Sequence, residues 1–362
     1  MSISEQQIQS ILKAVIDPTV GKDYITTGSI KHIQINGNDV ALDVELGYPA
    51  NSVKANVQQQ IIMALQAIPG IGKVNVSVSS KIVPHGVQGG VKLIPGIKNI
   101  IAVASGKGGV GKSATAVNLA LALASEGAQV GILDADIYGP SQPQMLGITQ
   151  QPESLDGKSM EPVIAHGIQA MSIGLLIDVE TPMVWRGPMV TQALQQLLND
   201  TNWKDLDYLI VDMPPGTGDI QLTLAQKIPV TGAVIVTTPQ DIALLDARKG
   251  LKMFEKVGIP IFGIVENMST HTCSNCGHTE PIFGAGGGEK MCQDYQVDFL
   301  GALPLDITIR EHTDSGRPSV IAEPDSQIAQ TYRTIARKIA VKVTESAEDH
   351  SAAFARIIME DN

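Results

Sequence analysis

The sequence predicts an α/β fold: a doubly wound, mostly parallel sheet preceded by a small α+β unit. Beyond about residue 95, short apolar runs alternate with Ala- and Leu-rich helical segments, as expected for buried parallel strands joined by crossover helices. Residues 4–80 instead contain alternating strand patterns and two helical patterns. Aromatic residues make up only 4% of the 362-residue chain, which suits close packing of helices on a sheet.

The first part of the chain predicts the element order α-β-β-α-β. Ile8, Ile11, Leu12 and Val15 recur at helical spacing and form one apolar face. Two alternating segments flank Asn-Gly at 36–37, a dipeptide typical of a tight hairpin turn. A second helix ends before a Pro-Gly pair, and another alternating strand follows. The predicted segments are 4–17, 29–37, 39–47, 52–68 and 73–80.

The fold of the larger part of the chain is predicted from five apolar strands that end in polar, glycine or proline residues. These strands are 99–105, 129–136, 207–215, 232–239 and 260–268. A closing helix is predicted at 325–346, and a Gly- and Pro-rich stretch before the first strand indicates a linker. The predicted domains are a small unit at 1–82, a linker at 83–98, a large unit at 99–346 and a tail at 347–362.

Composition argues against several classes of function. A net charge of −11 disfavours general binding to DNA phosphates or anionic lipid. No apolar run approaches the ~18–20 residues of a membrane helix, and the first residues lack the regions of a secretory signal. Three cysteines do not indicate a disulfide framework. We therefore expect a cytoplasmic protein with neither nucleic acid nor a membrane as its partner.

A phosphate site is predicted at residues 106–113, "GKGGVGKS", which fits the pattern G-x-x-x-x-G-K-[ST]. The motif follows an apolar strand and opens a helix, which is the context that a P-loop requires. Backbone N–H groups would surround phosphate oxygens, Lys112 would reach the β- and γ-phosphates, and the Ser113 hydroxyl would bind Mg²⁺. The predicted ATP-binding residues here are Gly106, Lys107, Gly108, Gly109, Val110, Gly111, Lys112, Ser113 and Ala114.

Acidic residues at two other strand ends support this site. Asp212 follows four apolar residues, where a carboxylate that binds Mg²⁺ through water is expected. Asp134 and Asp136 end another apolar strand, and alternation predicts that they lie on one side of it. Because open α/β sheets bind ligands at the carboxyl ends of their strands, all three should face one crevice.

The segment "HTCSNCGH" at 271–278 contains half a metal site, the C-x-x-C of Cys273 and Cys276. In a reduced compartment such a pair indicates metal or redox chemistry. Zinc is one possibility, with His271 and His278 completing four ligands or Cys292 joining the pair. Four ligands within eight residues require tight folding of the loop, and no second C-x-x-C is present. A redox dithiol is a further alternative.

The phosphate motif carries an additional lysine. "KGGVGKS" at 107–113 resembles the loop of the deviant Walker A ATPases. The resemblance implies that Lys107 reaches the nucleotide of a second subunit, so that the ATP-bound form is a face-to-face homodimer. A cation supplied in trans would neutralise transition-state charge as an arginine finger does.

Within that group the chain is similar to the Mrp/ApbC-type iron–sulfur cluster carriers, which are related to MinD, ParA and the nitrogenase iron protein. The resemblance covers about 95–340, and the small unit is similar to an iron–sulfur assembly domain often fused in this family. The motifs that carry it are "DADIYGPSQP" at 134–143, "VWRGPM" at 184–189, "DMPPGTGD" at 212–219 and "VENMS" at 265–269, leading to "CSNC".

The resemblance implies that Cys273 and Cys276 bind a labile [4Fe–4S] cluster shared by two subunits. It further implies that Asp136 positions or activates the attacking water, so that Lys107, Lys112 and Asp136 are the catalytic residues. "GTGD" at 216–219 would be a switch segment, and Arg186 belongs to a family motif without an assigned role. Base recognition is implied for Asn267 and for the "LPLD" segment with Pro304 and Asp306.

The function that these observations favour is an ATP-dependent cluster carrier with weak ATPase activity. It would accept a cluster from a donor scaffold and pass it to apo iron–sulfur proteins, and the small unit, which has no cysteine, would bind partners. The alternatives are a spatial-organising ATPase similar to MinD and ParA, or a zinc-stabilised ATP-binding scaffold.

Overall fold

The small unit forms a three-stranded sheet with two helices. The computed structural model describes residues 3–85, 93–176 and 187–358. In the small unit these residues form α1 (Glu5–Leu12), β1 (Ile30–Asn36), β2 (Asp39–Leu46), α2 (Lys54–Gln66) and β3 (Val74–Ser80). Strand β2 lies centrally, antiparallel to β1 and parallel to β3. The predicted element order is confirmed.

Helix α1 is shorter than the predicted segment 4–17. It begins after Ser4, whose side chain forms a capping box with Gln7. It ends at Leu12 because the next backbone bonds tighten, with Val15 N–H donating to the carbonyl of Leu12. Ile8 and Leu12 are fully buried, so the predicted apolar face is the one that packs.

The large unit is built on an eight-stranded sheet in the order β13-β10-β9-β4-β8-β5-β7-β6. Only the edge strand β6 runs antiparallel to its neighbour, so the predicted doubly wound, mostly parallel sheet is confirmed. Five of its strands match the predicted runs. They are β4 (Ile97–Ala104), β5 (Val130–Asp134), β8 (Leu206–Asp212), β9 (Gly232–Thr237) and β10 (Ile261–Glu266); the additional strands are β6 (Val163–Ala165), β7 (Ile168–Ser172) and β13 (Phe299–Ala302).

Helices cover both faces of this sheet. Along β4, Ile101 and Val103 pack into one core, while Ile100 and Ala102 pack into another on the opposite face. This is why the strand is a continuous apolar run. The helices are α3 (Lys112–Ser125), α4 (Gln142–Met145), α5 (Gly187–Asn199), α6 (Asp219–Lys227), α7 (Asp241–Lys256), α8 (Gly287–Tyr295), α9 (Ile307–Asp314), α10 (Ser319–Ala322) and α11 (Gln327–Ile358), and a small hairpin joins β11 (His271–Thr272) to β12 (Thr279–Glu280).

The two units share one continuous apolar core and a polar contact at the end of α3. There Arg337 of α11 donates to the fully buried carboxylate of Glu126 at 2.6 Å, and Ser52 of the small unit bonds to the same carboxylate. Thr344 also donates to the carbonyl of Gly47 at 2.7 Å. The small unit therefore rests on α3, which follows the phosphate loop, and on α11, which packs against α3.

Two predicted boundaries differ from the structure. The closing helix predicted at 325–346 begins at Gln327 and continues to Ile358, because nothing in the sequence after 346 breaks the helix. Strand β4 begins at Ile97, inside the predicted linker, of which residues 86–92 lie outside the described ranges. Among the described residues, no helix is long and apolar enough to cross a membrane.

Candidate functional site

The predicted phosphate loop connects β4 to α3 at the carboxyl edge of the large sheet. Gly111 precedes the helix with φ +79°, and Gly109 has φ +82°, a left-handed conformation that favours glycine. A side chain at Gly111 would also collide with the amide of Asn267. The strand–loop–helix context predicted for residues 106–113 is thus confirmed.

A cavity of about 260 Å³ lies over this loop. It brings together most of the predicted ATP-binding residues with Asp136. Gly106 and Val110 are not in its lining: Gly106 lies against the backbone of Asp246 and Ala247 on α7, and Val110 is buried. The lining consists of Ser105, Lys107, Gly108, Gly109, Gly111, Lys112, Ser113, Ala114, Asp136, Ser141, Met145 and Pro215.

Lys112 and Asp212 form a buried ion pair beneath the loop. Asp212, at the end of β8, is fully buried, and the Lys112 side chain is 6% exposed. The ammonium group also lies 3.2 Å from Ser113 Oγ. Because an unpaired buried charge is strongly unfavourable, each charge here stabilises the other. The three residues predicted to bind phosphate and Mg²⁺ therefore meet at one point.

The two aspartates of the "DAD" segment have different environments. Strand β5 ends at Asp134, so strand alternation does not extend to Asp136. Asp134 is fully buried and accepts hydrogen bonds from the backbone N–H groups of Ser141 and Gln142 and from Ser172 Oγ. Burial and the nearby Asp212 raise the pKa of Asp134. It shapes the loop, whereas Asp136 lines the cavity.

A further residue of the site was not predicted from the sequence. Gln142, the first residue of α4, is 1% exposed. Its Nε2 donates to Asp212 Oδ2 at 2.8 Å and to the Ser113 carbonyl at 3.1 Å. The proline that follows it indicates a helix start, but no local signal identifies partners so distant in the chain.

Lys107 lines the same cavity and is only partly buried. Its carbonyl accepts a hydrogen bond of 2.9 Å from Ser105 Oγ, which fixes the backbone of the loop. Within the described ranges, its ammonium group makes no ion pair. The charge of Lys107 is thus available to a ligand.

The predicted base-recognition residues differ in their contacts. Asn267 follows β10, and its Nδ2 donates to the carbonyl of Val110 at 2.9 Å. Asp306 instead caps α9, accepting from the N–H of Thr308 at 2.8 Å. Pro304 is partly buried in the segment between β13 and α9. The structure therefore places Asn267 against the phosphate loop and gives Asp306 a capping role.

The switch segment predicted at 216–219 is bonded to the phosphate strand. Gly216 N–H donates to the carbonyl of Ser105 at 3.1 Å, and Gln221 of α6 bonds to the carbonyl of Pro214. Arg186 lies outside the described residues, as does the first half of the "VWRGPM" motif, of which residues 187–189 are described.

Cys273 and Cys276 lie in the turn between β11 and β12. The turn is closed by bonds of 2.9 Å from Cys273 N–H to the His278 carbonyl and from Gly277 N–H to the Cys273 carbonyl. Hydrogen bonds from the backbone N–H groups of Cys276 and Asn275 lower the pKa of the Cys273 thiol. Cys276 is exposed. The pair is thus open to solvent, and the lowered pKa of Cys273 favours its thiolate, the form that binds metals.

The side chains considered for a zinc site do not gather. His271 Nδ1–H donates to the carbonyl of Leu305 at 3.0 Å, and His278 is exposed. Cys292 is buried in α8, where burial raises its pKa to about 12. Over the described ranges, no three His, Cys, Asp or Glu side chains are grouped so that they could hold a metal ion. Within the part of the chain that the structure describes, one copy therefore offers two thiols at this turn and no grouped third ligand.

Comparisons with known protein families agree with this arrangement. Residues 96–340 match the ParA family, described as the NUBPL iron-transfer P-loop NTPase. Residues 5–78 match a family described as iron–sulfur cluster assembly protein. Together these matches include both the phosphate loop and the cysteine turn.

Individual relatives cover nearly the whole chain. An iron–sulfur cluster carrier protein of Haemophilus influenzae is 50% identical over 94% of this chain and 92% of its own length. One of Escherichia coli K12 is 52% identical over 90% of this chain and 89% of its own. A nucleotide-binding protein of Archaeoglobus fulgidus, solved with ADP, is 37% identical with a TM-score of 0.56 and covers 64% of this chain and 90% of its own.

Proposed function

Because the chain belongs to the NUBPL-type iron-transfer P-loop NTPase family, we propose that it is an ATP-dependent carrier of iron–sulfur clusters. It takes up a cluster from a donor scaffold and passes it to apo-proteins. The observation that carries this proposal is the solvent-open pair Cys273 and Cys276. In the chain, this pair comes shortly after Asn267, which contacts the phosphate loop.

The nucleotide half of the proposal rests on the cavity over the phosphate loop. Backbone N–H groups at the start of α3 and the Lys112 ammonium supply positive potential for the phosphates of ATP. The oxygens of Ser113 and Asp212 are the hard donors that Mg²⁺ prefers, and Asp212 already lies against a cation, Lys112. When bound there, Mg²⁺ would neutralise charge on the β- and γ-phosphates.

Hydrolysis is assigned to three side chains. Lys112 leaves Asp212 to contact the phosphates, and Asp136, which lines the cavity, orients the attacking water. Lys107, whose ammonium has no counter-ion among the described residues, reaches the nucleotide of a second copy. A cation supplied in this way stabilises the charge of the transition state.

The cluster half of the proposal rests on the number of ligands. A [4Fe–4S] cluster takes four thiolates, and this chain offers two at its turn. A second copy related by a two-fold axis supplies the other two. The backbone N–H groups that lower the pKa of Cys273 favour the ligand form of the thiol. Few ligands and an exposed position make the cluster easy to release.

A surface for the second copy lies at the carboxyl edge of the large sheet. Exposed apolar side chains lie on elements that follow β9, β10 and β13, and Ile242 at the start of α7 is 71% exposed. Leu245, Ile282 and Ile307 are also more than half exposed. Exposed apolar side chains at one edge of a sheet are available for contact with a second copy. The phosphate loop and the cysteine turn lie at this same edge.

Hydrogen bonds connect the two halves. After Asn267, the N–H of Ser269 donates to the Leu303 carbonyl at 3.0 Å, and the N–H of Leu305 donates to the Thr270 carbonyl at 2.8 Å. His271 then bonds to the Leu305 carbonyl, immediately before the cysteine turn. Nucleotide binding that moves Asn267 off Val110 therefore displaces the segment that carries the thiolates. Because ATP binds one conformation of the protein better than the other, its binding changes how tightly the thiolates bind the cluster.

The test is transfer of a cluster to an acceptor. Protein reconstituted under anaerobic conditions would be mixed with an apo-dehydratase whose activity requires a [4Fe–4S] cluster. We expect wild-type protein to activate the acceptor, faster with ATP than without it, and Lys112→Ala to lose the ATP effect while still carrying a cluster. Failure of loaded wild-type protein to activate any apo-acceptor would contradict the proposal.

A further inference from the structure

Gln142 occupies a central place in the nucleotide site that the proposed mechanism does not use. Its side chain extends from the first residue of α4 into the protein, where it is 1% exposed. Nε2 bridges two acceptors, Asp212 Oδ2 at 2.8 Å and the Ser113 carbonyl at 3.1 Å. It thereby joins the ends of β8 and of the phosphate loop.

The orientation of this amide is determined by its partners. A carbonyl and a carboxylate only accept hydrogen bonds, so the NH₂ group must face both. Gln142 Oε1 is buried and has no hydrogen-bond partner among the described residues. A buried amide oxygen left without a donor is unfavourable, so the contacts of Nε2 are maintained against this penalty.

The backbone of Gln142 is fixed as well. Its N–H and that of Ser141 both donate to Asp134 Oδ2, at 3.1 and 3.0 Å. Asp134 also accepts from the N–H of Asp136 at 3.1 Å. The loop that presents Asp136 to the cavity therefore ends at Gln142. The side chain of Gln142 in turn donates a hydrogen bond to Asp212.

Both carboxylate oxygens of Asp212 are engaged, one by Lys112 and the other by Gln142. When Lys112 turns to the phosphates of a nucleotide, the first oxygen becomes free while Gln142 keeps the second. Without Gln142, the fully buried carboxylate of Asp212 would then have neither of these two partners. We expect it to reorient, because an unpartnered buried charge is strongly unfavourable.

We propose that Gln142 is a positioning residue that holds Asp212 toward Mg²⁺ and ties the loop carrying Asp136 to the metal. The inference rests on the nucleotide half of the proposed function. Gln142 therefore contributes to the gain in nucleotide affinity that Mg²⁺ confers. It contributes little to the affinity without the metal, since it does not line the cavity.

The experiment measures the dissociation constant of a non-hydrolysable ATP analogue with Mg²⁺ and with EDTA. Gln142→Met removes the donor at nearly constant volume, and Gln142→Asn keeps an amide that is too short to bridge both acceptors. Gln144→Met is the matched control, since Gln144 is exposed on the same short helix. Thermal unfolding of each variant establishes that it is folded. If Gln142→Met does not fold, Gln142→Asn takes its place in the comparison.

We expect Gln142→Met to reduce the Mg²⁺-dependent gain by about tenfold, or ~1.4 kcal/mol. The affinity in EDTA should stay within about twofold of wild type, and Gln144→Met should change neither quantity. An unchanged gain in the Gln142 variants would overturn the inference, as would equal losses with and without Mg²⁺. A wild-type protein that shows no Mg²⁺-dependent gain would overturn it together with the nucleotide half of the proposed function.

Discussion

The nucleotide site and the cysteine turn differ in almost every physical respect. At the nucleotide site, Lys112 of α3 and Gln142 of α4 are buried, and both bond to the buried carboxylate of Asp212 at the end of β8. The cysteine turn spans residues 273–278 between two strands of two residues each, and it carries two thiols. The nucleotide site is preorganised within a single chain, whereas the cysteine turn offers two of the four thiolates that the proposed [4Fe–4S] cluster takes. Under the proposed function, nucleotide binding is therefore a property of the chain, and cluster binding is a property of the pair of chains.

The largest expected effect separates the two regions. Cys273→Ser should abolish retention of a cluster, because a subunit with one thiolate leaves the pair short of the four that a [4Fe–4S] cluster takes. Nucleotide affinity should remain within about twofold of wild type, since the turn is not part of the nucleotide cavity. Iron content per chain and nucleotide titration measure both quantities.

Ser274→Ala is the matched control, because Ser274 is exposed in the same turn. It should retain the full cluster content. Equal iron content in Cys273→Ser and Ser274→Ala would remove the cysteine turn from the account.

The next effect tests whether the nucleotide site is also completed in trans. Lys107→Gln should lower ATP hydrolysis by roughly 100-fold or more, as expected for loss of a cation that acts like an arginine finger. Nucleotide binding should change little, because Lys112 and the backbone of the loop remain. Steady-state phosphate release measures the rate, and exposed Lys158 supplies the control variant Lys158→Gln.

Mixing two inactive variants sharpens this prediction. A heterodimer of Lys107→Gln and Asp136→Asn contains one intact site only if Lys107 acts across the interface. Equimolar mixing should then restore about a quarter of wild-type activity, since half of randomly formed dimers are heterodimers with one working site. No recovery would mean that Lys107 acts within its own chain.

The smallest effect concerns the thiols themselves, in the cluster-free protein. The pKa of Cys273 is lowered by backbone N–H groups, whereas burial raises that of Cys292 to about 12. Between pH 8 and 7, alkylation of a free cysteine slows roughly eightfold because its thiol titrates near ~8.5. Because the thiolate of Cys273 persists to lower pH, its alkylation should slow by clearly less than that of free cysteine over the same pH range.

Mass spectrometry after iodoacetamide treatment measures this for each cysteine. Cys292 should remain unmodified until the protein is denatured, which serves as the internal control for folding. A rate at Cys273 that falls in parallel with free cysteine would contradict the role given to the backbone N–H groups.

Much of the large unit could be predicted from its sequence. Strands such as β4 and β9 are buried on both faces and are therefore continuous apolar runs. The phosphate loop has its residues in one short segment. The strands β6 and β13 were not predicted because edge strands of three or four residues carry too little pattern.

The site residues that sequence reasoning missed are those whose role depends on distant partners. Gln142 lies 70 positions from Asp212, and only the fold brings the two together. Asp134 appeared equivalent to Asp136 in the sequence, yet it organises the loop from a fully buried position. The capping role of Asp306 likewise follows from the start of α9, which the sequence pattern did not reveal.

The central claim is that the cluster site is completed by a second copy of the chain. The most direct test is anaerobic reconstitution with iron and sulfide, followed by native mass spectrometry. We expect a dimer that carries about four irons and about four sulfides, and that loses its cluster in Cys273→Ser. A monomer that retains a full cluster, or tightly held zinc with iron uptake indifferent to both cysteines, would contradict it.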